Sequence, residues 1–336
     1  MLRVYYNVMD KVSIITAVYN GERYVEQCVL SLQQQTYQNL EMLFVDDGST
    51  DDSAALLQSF AQADSRIRII SLPQNSGLAH ARNVALSKAT GSYVCMLDVD
   101  DRYSPDAIDS AVTTMKQTGA DIVLFRFMYT YDDGTPDRLF PLLPPQGLSG
   151  MDALRGSINW QSVHGIYLIT TDMHRQYPFD ESCRLYSDEN TARLHFLHAL
   201  KVVQCQGTYY YLQHPASATH HYGERYLDRL PAAESLRTSL IAEGVPDDVR
   251  WSLYDKSWLL TMDCYLYITR EKHSLTKEQR RQCMRLIHQV WQQTPFRQLP
   301  KAHYCKFGFF PLRPFWIIFK LQARTYFFVR RLLGKH

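Results

Sequence analysis

The sequence lacks several patterns that identify common classes of protein. No run reaches the roughly 18 apolar residues that a membrane-spanning helix needs. The seven cysteines are widely spaced and form no C-x-x-C pair, which disfavours a zinc site or a disulfide framework and favours a reducing compartment. Asp10 and Lys11 interrupt the short apolar stretch at the N-terminus, so we expect no signal peptide there. These absences favour a soluble or peripheral protein of the cytoplasm.

Acidic residues are missing from the last part of the chain. Twelve basic residues and no acidic one follow Glu278. The whole chain has 36 Lys and Arg against 34 Asp and Glu, a net charge of +2, so the part that ends at Glu278 is acidic overall. We therefore expect one end of the protein to be attracted to a negatively charged surface.

Apolar runs rich in β-branched residues predict buried strands in the first part of the chain. These runs are residues 12–18, 40–45, 67–72, 93–97 and 122–127. Segments with helical spacing lie between them, at 22–35, 51–63, 78–89 and 105–117. Strands and helices that alternate in this way indicate a doubly wound α/β layer. From about residue 216 the pattern is helical, with predicted helices at 224–243, 247–270 and 277–293.

Acidic residues follow the second predicted strand, at the edge where a doubly wound sheet binds its ligands. The adjacent carboxylates of Asp46 and Asp47 could accept hydrogen bonds from a base and a ribose. The sequence D-D-G-S-T suits a turn and a helix cap equally well. The first strand is not followed by G-x-G-x-x-G, so the dinucleotide fingerprint is absent.

Three more carboxylates, Asp98, Asp100 and Asp101, follow the fourth predicted strand. Side chains two residues apart on a strand share a side, so Asp98 and Asp100 are expected to address one site. A divalent cation bridging to a diphosphate would relieve their mutual repulsion, whereas the alternative is a solvated acidic turn. Gly77 opens the preceding helix, and Arg82 lies about one turn into it, where it could reach a phosphate.

Together, four blocks in this order and spacing resemble the family 2 glycosyltransferases: VSIITAVYNG, FVDDGSTD, NSGLAHARN and LDVDD. The resemblance is close from residue 12 to about 130 and looser to about 215. It implies a GT-A catalytic domain over 1–215, with a doubly wound mixed sheet, a nucleotide-binding half at about 10–130 and an acceptor half at about 131–215. A helical region at 216–295 and a basic amphipathic tail at 296–336 would follow.

The resemblance also implies a nucleotide-sugar donor, usually a UDP-sugar, and roles for individual residues. The residues assigned to the donor nucleotide are Thr16, Tyr19, Asn20, Glu22, Asp46, Asp47, Gly77, Arg82 and Asp98. Asp46 or Asp47 would meet the uracil or the ribose. Asp98 would contact the ribose or the sugar, and Asp100, with Asp98, would coordinate Mg²⁺ or Mn²⁺ bound to the diphosphate. Arg82 and the ion would then stabilise charge on the leaving group.

The family places its catalytic base in a Glu-Asp pair at a helix start, where this chain has Ser-Asp-Glu. Asp188 is the expected base and Glu189 the alternative, although Asp188 could also serve only as a helix cap. Trp160 and His164 lie where the family forms its acceptor pocket, and each could equally be a packing residue. His214 and the pair His220-His221 follow a predicted aromatic strand at 208–213, at a place where some relatives supply a metal or phosphate ligand and where a loop histidine is the alternative.

The expected function is therefore that of a metal-dependent, inverting hexosyltransferase of cell-surface polysaccharide synthesis, acting on a glycan or lipid-linked acceptor. The altered Glu-Asp motif leaves open a catalytically inactive relative that binds a nucleotide-sugar or acts as a scaffold. An unrelated nucleotide-binding oxidoreductase is disfavoured by the missing glycine fingerprint.

The basic tail contains a predicted helix at residues 314–333, on which Lys320, Arg324 and Arg331 form a narrow stripe among apolar side chains. This pattern is typical of a helix that lies on an anionic membrane surface. The alternative is a helix docked on the rest of the protein. Nucleic-acid binding is disfavoured, because the basic residues alternate with aliphatic and aromatic ones. We expect a peripheral position on the cytoplasmic face of the inner membrane.

Overall fold

The computed structural model describes residues 10–158, 162–214, 224–270, 275–304 and 316–334. The chain divides into two units, residues 1–217 and 218–336. The first is an α/β unit and the second is helical. Their boundary lies close to residue 215, where the sequence pattern changes from alternating strands and helices to helices alone.

The α/β unit is built on one mixed sheet, flanked by helices. Its strands are β1 (Val12–Val18), β2 (Leu40–Asp46), β3 (Ile67–Ser71), β4 (Tyr93–Met96), β5 (Arg102–Tyr103), β6 (Ile122–Tyr131), β7 (Arg138–Leu139), β8 (Leu148–Ser149), β9 (Tyr167–Thr170) and β10 (Lys201–Gln213). Its helices are α1 (Glu22–Gln33), α2 (Ser53–Ala63), α3 (Leu78–Lys88), α4 (Ala107–Thr118), α5 (Gly150–Ile158), α6 (Thr171–Gln176) and α7 (Ser187–His198).

The strand order is β3-β2-β1-β4-β9-β6-β10-β5, with β7 beside β6 and β8 beside β10. Strands β1 to β4 run parallel, β9 is antiparallel to both β4 and β6, and β10 is parallel to β6. The predicted doubly wound mixed sheet is confirmed. The insertion of β9 between β4 and β6 was not predicted, because its four-residue run has no distinctive periodicity.

Burial explains the strands that the sequence predicts best. Every residue of β2 and all but one of β1 are buried, which matches their near-continuous apolar sequences. Helix α1 packs one face on this layer through residues at helical spacing, including Val25, Cys28 and Leu32. The parallel strands β1, β2, β3 and β4 thus present their carboxyl ends, and the loops that follow them, along one edge of the sheet.

The helical unit contains α8 (Arg229–Ala242), α9 (Asp247–Arg270), α10 (Lys277–Gln293), α11 (Lys301–Tyr304) and α12 (Trp316–Leu332). Helices α9 and α10 have the predicted bounds. A capping box begins α10, in which the Thr276 hydroxyl accepts from the Gln279 backbone N–H and the Gln279 side chain accepts from the Thr276 N–H.

Aromatic side chains form the core of the helical unit. Trp258 from α9, Trp291 from α10 and Phe319 from α12 are buried together, and Ala323 lies one turn beyond Phe319 on the same face of α12. One face of α12 is therefore packed within this unit. In the described part of the chain, no helix combines the length and the apolar character needed to cross a bilayer.

Candidate functional site

The loops after β1 and β2 are held together by side-chain to backbone hydrogen bonds. The Asn20 side-chain oxygen accepts from the Thr50 N–H at 2.8 Å, and the Glu22 carboxylate accepts from the Asp52 N–H at 3.0 Å. In return, the Asp51 carboxylate accepts from the Glu22 N–H at 3.1 Å. Asn20 and Glu22, predicted to line the nucleotide, therefore fix the shape of the two loops at the edge where it would bind.

Asp46 and Asp47 have different roles in the structure. Both oxygens of Asp47 accept backbone N–H groups at the start of α3, from Ser76 at 2.7 Å and from Gly77 at 2.9 Å. One oxygen of Asp46 accepts from the Ser49 N–H at 3.0 Å. Asp47 thus ties the end of β2 to α3, which favours Asp46 as the carboxylate for a nucleoside.

Thr16 and Tyr19 differ in accessibility. Thr16 is buried within β1, whereas the Tyr19 side chain that follows the strand is 48% exposed. Of these two predicted donor contacts, Tyr19 offers an open aromatic face to a ligand.

Arg82 lies at the centre of the site and is 1% exposed. Its Nη2 donates to Asp98 Oδ1 at 2.6 Å, and its Nη1 lies 3.6 Å from Asp188 Oδ2. The guanidinium carbon lies 5.4 Å from the centre of the Phe179 ring. Burial lowers the pKa of Arg82, but the carboxylates of Asp98 and Asp188 outweigh it and raise the pKa above its ordinary value. The guanidinium is thus a permanent cation between two carboxylates.

Residues 98–101 form a turn, not the end of a strand. The Asp101 N–H donates to the Asp98 carbonyl at 3.0 Å, and β4 ends before both residues. The prediction that strand alternation places Asp98 and Asp100 on one side is therefore wrong. The two carboxylates are nevertheless close enough to interact. Burial raises the pKa of Asp98, and Asp100 and Asp188 raise it further against the opposing effect of Arg82.

Asp100 is held by His214, which follows β10. His214 Nε2 lies 2.9 Å from Asp100 Oδ2, and Nδ1 lies 3.3 Å from the Tyr24 hydroxyl. The contact brings residues 114 positions apart next to each other. The sequence singled out His214 together with His220 and His221, which lie outside the described residues, but nothing in its pattern indicated Tyr24 as a partner.

The buried Asp101 side chain stabilises the turn formed by residues 98–101. Its carboxylate accepts from the Tyr209 hydroxyl at 2.5 Å and from the Leu212 N–H at 2.8 Å. Burial raises the pKa of Asp101 well above its ordinary value, and the charges of Asp100 and Asp98 add to that effect. This residue joins the acidic turn to β10, a role that sequence reasoning missed because both partners lie more than a hundred residues away.

Asp188 and Glu189, the two candidates for the base, lie in the first turn of α7. Asp188 Oδ1 accepts from the Glu189 N–H at 2.9 Å, and its side chain is 33% exposed. The Glu189 carboxylate forms an ion pair with the buried Arg193 at 3.1 Å and is 20% exposed. Asp188 is therefore the more open carboxylate and the one that faces the site.

Backbone strain marks both sides of the site. Among the described residues, the non-glycine residues with a left-handed φ are Asn20, at 51°, and Tyr186, at 66°. Asn20 shapes the loop after β1, and Tyr186 immediately precedes α7. Such conformations cost free energy and persist where the surrounding structure fixes them, often at functional sites.

Of the two predicted acceptor residues, the structure describes His164. His164 is buried, with its ring packed 5.1 Å from Phe127 and 5.3 Å from Phe140. Burial lowers its pKa to about 4. This position gives no support to stacking of His164 on a sugar, and the packing interpretation describes it better. Trp160 lies outside the described residues.

The carboxylates of Asp98 and Asp100 suit a divalent cation in their chemistry. Mg²⁺ is usually held by one or two carboxylates together with substrate phosphates. Burial raises the pKa of Asp98, and the charge of Asp100 raises it further, so an added positive charge would stabilise the ionised carboxylates. Within the part of the chain that the structure describes, no group of three or more His, Cys, Asp or Glu is arranged to hold a metal ion by itself.

Comparison with known proteins identifies the family of the chain. The model of the family described as glycosyl transferase family 2 matches residues 13–181. The chain belongs to this family. It is 37% identical over 147 residues to the putative teichuronic acid biosynthesis glycosyltransferase TuaG of Bacillus subtilis, covering 44% of this chain and 58% of TuaG. It is 30% identical over 221 residues to the uncharacterized glycosyltransferase EpsJ of the same organism, covering 62% of each. The chain thus spans little more than half the length of TuaG.

Solved structures establish the fold. TarS of S. aureus, residues 1–349 in complex with UDP-GlcNAc, matches with a TM-score of 0.68 and 16% identity, covering 86% of this chain and 82% of that one. The mannosyltransferase PcManGT of Pyrobaculum calidifontis, in complex with GDP-Man and Mn²⁺, matches with a TM-score of 0.53 and 16% identity, covering 97% and 88%. At these identities the likeness concerns the fold alone, and it is the GT-A fold implied by the sequence motifs.

Proposed function

We propose that this protein transfers a sugar from a UDP-sugar to a hydroxyl of a glycan or lipid-linked acceptor, with inversion, in the synthesis of cell-surface polysaccharide. Membership of the glycosyltransferase family supports the reaction class. The name of TuaG supports the type of product, and the UDP-GlcNAc complex of TarS supports the type of donor.

One observation carries the proposal: an open carboxylate from α7 lies beside the acidic turn at the carboxyl end of β4. Asp188 Oδ2 is 3.6 Å from Arg82, which also binds Asp98. An inverting transfer needs a base near the sugar but on the side opposite the diphosphate. In this proposal Asp98 would serve the donor and Asp188 the acceptor, and Arg82 lies between the two carboxylates.

In the proposed reaction, the acceptor oxygen attacks the anomeric carbon as Asp188 takes the proton of that hydroxyl. The bond from the anomeric carbon to the diphosphate oxygen breaks, and its electron pair leaves with UDP. Asp46 and Tyr19 would bind the nucleoside at the ends of β2 and β1. Asp98 and Asp100 would hold Mg²⁺ or Mn²⁺, an ion that supplies charge neutralisation to a diphosphate leaving group.

A donor panel tests the enzymatic proposal. UDP-, GDP- and dTDP-sugars are incubated with the protein and Mn²⁺, and release of the nucleotide is measured. We expect UDP-sugars to be hydrolysed slowly without acceptor, and Asp100→Ala to weaken donor binding. If no donor is turned over and Asp100→Ala leaves donor binding unchanged, the proposal fails. Donor binding without turnover would instead indicate a nucleotide-sugar-binding relative.

We also propose that α12 attaches the protein to an anionic membrane surface. The face of α12 opposite Phe319 is apolar and exposed, with Ile317, Leu321, Phe328 and Leu332 spaced four, seven and four residues apart along the helix. Arg324 is exposed on the same side, and no acidic residue follows Glu278 in the sequence. An apolar face with cations and no anions suits a membrane surface that carries negative lipids.

Vesicle co-sedimentation tests this attachment. Because Phe319 and Ala323 belong to the core of the helical unit, deletion of the tail would damage the fold. The double variant Leu321→Ser, Phe328→Ser keeps that core and removes part of the exposed face. We expect the unaltered chain to sediment with phosphatidylglycerol vesicles and not with phosphatidylcholine alone, and the variant to remain in the supernatant. Equal sedimentation of both proteins would contradict the proposal.

A further inference from the structure

Arg82 connects two carboxylates that are remote in the sequence. Asp98 lies 16 positions away in the acidic turn, whereas Asp188 belongs to α7, in the second half of the α/β unit. The two Nη atoms of one guanidinium face one carboxylate each, at 2.6 Å and 3.6 Å. Arg82 is therefore the direct link between the candidate donor carboxylate and the candidate base.

We propose that Arg82 is a positioning residue that sets the location of Asp188 relative to Asp98, and that it acts through these carboxylates and not by contact with the donor phosphates. The inference rests on the proposed function, and it replaces the role in phosphate binding that the sequence suggested for Arg82. Its burial beneath the site supports this change, since a side chain that is 1% exposed and already bound to a carboxylate is poorly placed to meet a ligand.

The surroundings of Arg82 hold it in place. Phe179 lies against the guanidinium, and the backbone of Phe179 is fixed from the same helix, α3. The Asn83 side chain donates to the Phe179 carbonyl and accepts from the Phe179 N–H, both at 2.9 Å. Asn83 also donates to Glu181 at 2.7 Å. Helix α3 thus fastens the segment that leads into α7, and a fixed cation at this point can hold the base in one place.

The unequal distances from Arg82 to Asp98 and to Asp188 are also consistent with Asp188 as the base. The short contact makes Asp98 the firmly held partner, while Asp188 Oδ2 is farther from Arg82 than a hydrogen bond allows. Asp188 is oriented through its other oxygen, which accepts from the Glu189 N–H. An oxygen engaged in a close charge-assisted hydrogen bond would be less available to take a proton.

The geometry predicts that lysine cannot replace Arg82. A guanidinium is a planar fork that can face two carboxylates at once, whereas an ammonium is a single point of charge. Arg82→Lys keeps a cation and most of the buried stem, but it removes the simultaneous link. Misplacement of a reacting group by about 1 Å can cost about 10²-fold in rate, so we expect a loss of about that size in kcat for transfer.

A double-mutant cycle tests whether the effect passes through Asp188. Transfer kcat is measured for the unaltered protein, Arg82→Lys, Asp188→Asn and the double variant. We expect Arg82→Lys to lower kcat about 10²-fold in the unaltered background and less than about threefold in the Asp188→Asn background, because residues that act together are non-additive. Equal losses in both backgrounds would overturn the proposal.

Binding of uridine, UMP and UDP provides a readout that does not depend on turnover. If Arg82 does not touch the phosphates, Arg82→Lys changes the affinity for all three ligands by the same factor. A loss confined to UDP would mean that Arg82 binds the diphosphate, and would overturn the proposal. An unaltered protein that binds UDP but transfers no sugar would refute the proposed function, whereas this binding comparison would still decide between the two roles of Arg82.

Two further variants separate positioning from folding. Arg237→Lys alters another buried arginine, which pairs with Glu234 at 2.6 Å in the helical unit, and we expect it to lower stability without changing kcat. Phe179→Leu keeps an apolar side chain beneath Arg82 but removes the aromatic ring, and we expect a smaller loss of kcat that also disappears in the Asp188→Asn background. If Arg82→Lys does not fold, Phe179→Leu replaces it in the test. An equal loss of kcat from Phe179→Leu in the unaltered and the Asp188→Asn backgrounds would overturn the proposal.

Discussion

The two units of this protein differ in what is buried at their centre: a cation and carboxylates at the site of the α/β unit, and aromatic rings in the core of the helical unit. In the α/β unit, Arg82 and Asp101 are almost completely buried. Arg82 binds the Asp98 carboxylate, and the Asp101 carboxylate accepts from the Tyr209 hydroxyl. In the helical unit, the buried side chains at the centre are Trp258, Trp291 and Phe319. Arg324 lies at the surface, and the buried Arg237 is paired with Glu234.

This difference indicates which kinds of change should affect each unit most. A buried charge costs free energy unless it is paired, so the pairs around Arg82 are expected to persist only because they serve the site. An exposed cation costs little, but its attraction to an anionic surface is screened by salt. The first unit is therefore expected to respond to single substitutions at its site, and the second to respond to changes of core volume, ionic strength and net charge.

The largest expected effect concerns the buried site. Asp188→Asn should lower kcat for transfer by about 10²- to 10⁴-fold, because an amide cannot take the acceptor proton. UDP binding should be unchanged. Steady-state kinetics and equilibrium titration measure the two quantities. Glu189→Gln is the comparison, and we expect a smaller loss because Glu189 is paired with Arg193. A greater loss for Glu189→Gln would make Glu189 the base.

The next effect concerns the aromatic core of the helical unit. Phe319→Ala should lower the free energy of unfolding of this unit by about 3–5 kcal/mol, because it leaves a cavity beside Trp258 and Trp291. Phe328→Ala, on the exposed side of the same helix, should change it by less than about 0.5 kcal/mol. Denaturant unfolding followed by tryptophan fluorescence measures both. Equal effects would show that α12 is not packed as described.

The third prediction is an acid sensitivity of the α/β unit. Burial lowers the pKa of His164 and of His174 from 6.5 to about 4. Between these values the unfolded chain binds more protons than the native protein, so the free energy of unfolding falls as the pH drops from about 6.5 to about 4. Each histidine contributes about 3 kcal/mol to this loss, which is absent above pH 6.5.

His164→Phe tests that acid sensitivity. Phenylalanine suits the ring contacts with Phe127 and Phe140, although it gives up the hydrogen bond from the Ile166 N–H. Stability measured from pH 7.5 down to pH 4 should therefore show a shallower slope, whatever its absolute value. The same slope in both proteins would mean that His164 does not contribute.

The smallest effect concerns the basic tail. Lys320→Gln on α12 should weaken binding to anionic vesicles by about 1 kcal/mol, since each basic residue near such a surface contributes about that much. Raising the ionic strength should reduce the difference between the two proteins. Sedimentation at two salt concentrations measures both changes. A difference that does not depend on salt would contradict an electrostatic contribution.

Local sequence patterns were sufficient to predict most of the strands and helices. The bounds of β1, α9 and α10 are as predicted, and β2, β3 and β4 end within one residue of their predicted limits. These segments have strong periodicity or continuous apolar sequences, which depend only on neighbouring residues. Strands β6 and β10 extend beyond their predicted limits, because pairing between them supports residues with weaker local preference.

For the candidate site, the sequence indicated residue types and their order but not their partners. Asp98, Asp100 and Asp188 remain predicted site residues, while the strand alternation used for the first two is replaced by a turn. Burial of His164 could not be foreseen, since a single histidine gives no periodic signal. Likewise, no local pattern shows that His214 reaches Asp100.

The sequence by itself determined the α/β alternation, the order of the acidic residues along the chain, and the contrast between an acidic part up to Glu278 and the basic residues that follow it. Only the tertiary structure decided that Arg82 faces two carboxylates and that α12 buries one apolar face and exposes another. The physical reason is distance along the chain. Periodicity reports which face of an element is apolar, but contacts between remote residues depend on how the elements pack.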